Sequence, residues 1–218
     1  MGSGIAHIIS PVSAAWSGWT MFILMLCAVL SEVFQPGVIT QAHVSLIARS
    51  NRNYKESPTT FMGQVFITLF RIGTLAMTLC LCLYTEGCFS LTTYAAVCGL
   101  CLAVLLIKML CNTILDFTFT LTRLNSVAYE HYANIATIAT ILLYPATLVL
   151  LRIGNPIAGQ WILAIIAFLF IAMWAYRGGR LFISSPMAVF YFVVYMCTLE
   201  LLPLAVLYLS SAKLITII

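Results

Sequence analysis

Six apolar runs, each near the length that crosses a bilayer, alternate along the 218-residue chain with short segments marked by glycine, proline or charge. A hydrocarbon core of roughly 30 Å asks for about 20 helical residues at a rise of about 1.5 Å each. The runs fall at 16–34, 61–84, 90–110, 132–151, 157–176 and 187–209. They predict an all-α, polytopic transmembrane helical bundle of six spans, forming one integral membrane domain over 1–218. The punctuation agrees: "QPG" closes the first run, "TEG" separates the second from the third, "IGNP" the fourth from the fifth, and "RGGR" with "SSP" precedes the sixth.

Three connecting segments, 35–60, 111–131 and 177–186, read as cytoplasmic loops because basic residues are retained on that side of a membrane. Arg49, Arg52, Lys55, Lys108, Arg123, Arg177 and Arg180 lie in them or at the helix ends that enter them, against Arg152 and Lys213 on the other side. That asymmetry, with an even number of crossings, puts both termini on the non-cytoplasmic side. The first loop starts with Val38, Ile39, Ala42, Leu46 and Ile47 at helix-like spacing and ends basic. It suits either a short helix lying on the inner membrane face or an ordinary solvated loop. The segment 111–131 mixes apolar and polar positions and reads either as solvated or as an extension of the third helix beyond the membrane. The first sixteen residues lack the basic start of a signal peptide and lead into a run long enough to span, so the first helix is read as retained.

Composition removes the soluble alternative. The chain is 63% hydrophobic and 7% charged, whereas soluble domains carry about 25% charged residues. A formal net charge of +4 is too thinly spread to suggest nucleic acid, and its role is to orient the chain in the bilayer.

A charge at mid-bilayer costs about 2.5–3.5 kcal/mol on insertion scales, so each one needs a partner, neutralisation or water. Arg71 and Glu200 are the deepest, about 15 Å into the second run and about 20 Å into the sixth at 1.5 Å per residue. Both runs rise from the same side, so the two charges reach similar depths, and a contact between them is expected if the helices are neighbours. The pair either fixes helix packing or forms a proton- or substrate-binding site. Glu32 lies near the end of its helix, where it either caps an interior polar cluster with Gln35 or touches interfacial water. Lys108 has a stem long enough to snorkel to the headgroups. Pro145 and Pro203 each remove a backbone donor inside an apolar run, producing a kink or a freed carbonyl able to bind an ion.

Catalytic and metal chemistry find little support. The eight cysteines include "CLC" and "CGLC", but these lie within apolar helices and read as small hydrophobes, with Cys88 in a short loop as the exception. His7, His43 and His131 are widely spaced, and no Ser-His-Asp, HExxH or phosphate-cradling loop stands out. No catalytic residue, metal ligand or cofactor is assigned.

The segments "SNRNY", "YPATLVLL" and "YRGGRLFISSPMAVFYFVVYMCTLELLPLAVLY" resemble those of a family of uncharacterised polytopic inner-membrane proteins of Bacteroidota, a domain-of-unknown-function family. The resemblance covers most of the chain after residue 30, with the C-terminal stretch its most specific part. It implies multi-pass residence in a bacterial inner membrane, with Tyr144, Pro145 and the segment from Glu200 to Pro203 in motif positions, and it implies no reaction. The expected role is a non-enzymatic accessory or scaffold subunit of a cell-envelope complex, in contact with lipid and with membrane-protein partners or further copies of itself. The alternative is a small transporter or proton-coupled carrier with Glu200 and Arg71 at its site. A membrane enzyme acting on lipid would need acids and histidines converging near one interface, and Glu32, Asp116, Glu130 and His131 carry no specifying spacing.

Overall fold

The computed structural model describes residues 15–37, 60–83, 90–119, 122–182 and 202–217. These residues form helices and their connections, with no strand among them. The helices are α1 (Ala15–Phe34), α2 (Phe61–Cys82), α3 (Leu91–Phe119), α4 (Thr122–Ile153), α5 (Pro156–Phe182) and α6 (Leu202–Ile217). Five of them, α1 to α5, contain a stretch long and apolar enough to cross a membrane. The sixth expected crossing, 187–209, lies mostly outside the described residues; α6 covers its end in 16 residues.

Local chemistry sets the helix ends. Gly37, at φ 91°, follows α1 in a left-handed turn that glycine adopts without a Cβ penalty, and the Glu32 carboxylate accepts a 2.7 Å bond from its N–H. Ser90 caps α3, its hydroxyl accepting from Thr93 N. Between α4 and α5, Gly154 takes φ 65° and its N–H returns to Leu150 O, a left-handed helix stop. Asn155 Oδ1 then accepts from Ile157 N at 3.0 Å and Ala158 N at 3.4 Å, while Pro156 occupies a first-turn position where no donor is needed.

One expected boundary shifts. The segment assigned as the loop 111–131 is helical at 111–119 and 122–131, because it contains neither glycine nor proline to stop α3 or delay α4. The structure therefore follows the helix-extension reading. Similarly, α5 continues to Phe182, into the segment read as the loop 177–186.

Helix α2 packs against each of the other five described helices. Of its apolar stretch 67% is buried, against 11–33% for the corresponding stretches of α1, α3, α4 and α5, which makes α2 the axis of the bundle. One face of α2 carries Ile67, Phe70, Met77 and Leu81 against Met21, Leu24 and Leu150. Another carries Ile72, Ala76, Leu79 and Cys80 against Val97, Cys101 and Leu207. Helices α1 and α2 run antiparallel, with Phe34 stacked on Phe66 and Leu24 closing over Gly73. Helices α2 and α4 run parallel, since Arg71 meets Thr137 and Thr78 meets Thr147.

Candidate functional site

Among the described residues, polar groups within the apolar helices concentrate at the seam between α2 and α4. Arg71, Thr74 and Thr78 recur on one stripe of α2 at the three- and four-residue spacing of a helix face. Thr137, Thr140 and Thr147 do the same on α4, and all five threonines are buried. Arg71 Nη2 donates to Ala133 O at 2.9 Å and to Thr137 Oγ1. Thr137 donates in turn to the same Ala133 carbonyl at 2.8 Å. Further along, the Thr78 and Thr147 hydroxyls meet at 2.8 Å.

Sequence reasoning found Arg71 and missed these partners. The signal was present as threonines at 74 and 78 and at 137, 140 and 147, but threonine is common in apolar helices. Only the parallel register of α2 and α4 gives these positions meaning. Tyr144, in the family-like motif, ties α4 to α1 by donating to Met21 O at 3.0 Å, with its ring 5.7 Å from that of Phe70.

Other expected sites separate from the seam. Glu200 lies outside the described residues, and with it the expected contact to Arg71. Pro145 is exposed on α4, so its missing donor falls on the outer face and not toward Arg71. Pro203 is partly buried in the first turn of α6. Glu32 bonds to the turn at Gly37 and belongs to a polar junction at the end of α1. There Gln35 is 3% exposed and accepts from Gln64 Nε2 at 3.3 Å, and Thr60 Oγ1 donates to Phe34 O at 2.8 Å. The Gln35 and Thr60 bonds fix α1 to the start of α2. The Lys108 ammonium lies 3.5 Å from the centre of the Tyr132 ring, a cation–π contact that joins α3 to α4, where snorkelling alone was expected.

Cys27, Cys80, Cys82, Cys98, Cys101 and Cys111 are free thiols. Among the described residues, no group of three or more His, Cys, Asp or Glu side chains could hold a metal ion.

A helical chain with five segments fit to cross a membrane, and with its deepest described charge turned into the interface of two of them, has the character of an integral membrane protein. The chain belongs to the family described as "Domain of unknown function (DUF4271)", which it matches over residues 18–209. No curated protein and no solved structure matches it.

Proposed function

We propose that the protein is a non-enzymatic accessory or scaffold subunit of a cell-envelope complex, residing as a multi-pass protein in a bacterial inner membrane with both termini on the non-cytoplasmic side. One observation carries this reading. The Arg71 guanidinium binds the Ala133 carbonyl and Thr137 hydroxyl of α4, so the deepest described charge acts as a tie between helices. The threonine contact at Thr78 and Thr147 and the tyrosine anchor on Met21 serve the same end. With these polar groups committed to packing, the outer faces of the helices are the surfaces left for recognition.

Gentle detergent extraction at native expression, followed by identification of copurifying proteins, tests the proposal. A stable stoichiometric protein partner is expected. A protein that purifies alone and shows pH-dependent ligand binding lost in Glu200→Gln would replace this reading with the carrier alternative.

A further inference from the structure

Five buried threonines line the α2–α4 seam, and the hydroxyls of four have hydrogen-bond partners. Thr137 and Thr140 each donate at 2.8 Å to the carbonyl four residues earlier, and Thr78 and Thr147 stand 2.8 Å from the equivalent carbonyls and from each other, so that one of the two gives its hydrogen across the seam. The exception is Thr74. Its side chain is completely buried, and its Oγ1 has no hydrogen-bond partner among the described residues. A buried hydroxyl left in that condition costs about 1–3 kcal/mol, and such groups in folded proteins are generally met by solvent or an ion.

The register supplies the other half of a site. Thr78 is level with Thr147, so in parallel helices Thr74, one turn earlier, is level with Leu143. Thr140 lies three residues below that level on α4, an axial offset of about 4.5 Å. Two hydrogen bonds of about 2.8 Å meeting at the near-tetrahedral angle of one water oxygen span about 4.6 Å. The hydrogen of Thr140 is committed to Ala136 O, which leaves its lone pairs free to accept, while Thr74 has a hydrogen to give.

We propose that the α2–α4 seam holds an internal water that accepts from Thr74 Oγ1 and donates to Thr140 Oγ1. The guest is neutral: an ion would need the charged or multidentate shell that two hydroxyls do not provide. The site lies between the Arg71 tie and the Thr78–Thr147 contact, and completes a polar line along the axis of the bundle. It is independent of the proposed scaffold role.

The test compares thermal melts of the purified full-length protein in detergent with those of Thr74→Val, Thr74→Ser, Thr140→Val and the double valine variant. Thr74→Val should lower the midpoint by about 2–4 °C, Thr74→Ser should hold it, and Thr140→Val should cost less in the Thr74→Val background than alone. Thr74→Val melting at or above the parent, or strictly additive valine effects, would overturn the proposal. Should Thr74→Val fail to fold, a high-resolution density map of the parent decides: a solvent peak within hydrogen-bond reach of both hydroxyls supports the site, and a seam filled by protein atoms or lipid removes it.

Discussion

Arg71 and Thr137 show how much the identity of a hydrogen-bond donor matters at membrane depth. Interhelical hydrogen bonds between neutral side chains in a bilayer average about 0.6 kcal/mol, because the unfolded helices also find partners there. A bond to a charged group is worth about 1.5–3 kcal/mol. Thr137 accepts from a guanidinium across the seam, whereas the cross-seam partner of Thr147 is a neutral hydroxyl, so the same substitution should have unequal effects at the two places. In denaturant titration of the reconstituted protein, Thr137→Val is expected to lose about 1.5–3 kcal/mol and Thr147→Val about 0.6 kcal/mol. Equal losses would mean that Arg71 draws nothing from Thr137. Arg71 was legible in the sequence because a charge in an apolar run stands out on hydropathy alone. Thr137 was not, since its role depends on which turn of α4 lies beside which turn of α2, a relation that no local pattern contains.

At the scale of the helix, glycine distinguishes contact from exposure. A Cβ added at Gly63 would lie 2.7 Å from Gln35 Cβ, a stem atom that cannot swing aside, so Gly63→Ala must push α1 away from α2. At Gly99 in α3 an added Cβ meets nothing within 4 Å, and alanine gains there the about 0.8–1 kcal/mol by which it exceeds glycine in helix propensity. Gly63→Ala is therefore expected to destabilise and Gly99→Ala to stabilise in the same unfolding assay; a gain at both positions would disprove the close approach of α1 and α2. Asn155→Ala should cost about 1 kcal/mol through loss of the α5 cap, read as a lowered unfolding midpoint. Such ends were largely legible. "QPG" and "IGNP" are visible because glycine and proline change what the backbone can do, and both mark stops in the structure. The long reach of α3 and α4 was left open between loop and helix, because a stretch without either residue does not say whether tertiary contacts extend it.

For the whole molecule the informative comparison is between apolar character and burial. Of the five described spans the two most apolar, in α3 and α5, are also the least buried, at 11% each, whereas α2 is less apolar than either and 67% buried. A water-soluble bundle would invert that order, because burying the most apolar helices is what drives its folding. Lipid removes the drive, and interhelical fit through small and hydrogen-bonding residues decides which helix sits at the centre. Gly63, Gly73, Thr74 and Thr78, all buried, suit α2 to that place, and hydropathy could not have identified it. The outer faces should then touch acyl chains wherever no partner covers them. Trp161 on α5 is 68% exposed, as is Trp19 on α1, while Trp174 is 4% exposed. In single-tryptophan variants reconstituted into vesicles with brominated acyl chains, Trp19 and Trp161 fluorescence should be strongly quenched and that of Trp174 spared. Equal protection of Trp161 and Trp174 in the isolated chain would contradict the outward placement of α5. Repeating the measurement on the complex isolated with its copurifying partner extends the argument: loss of quenching at Trp19 alone would locate the partner on α1, and loss at Trp161 alone would locate it on α5.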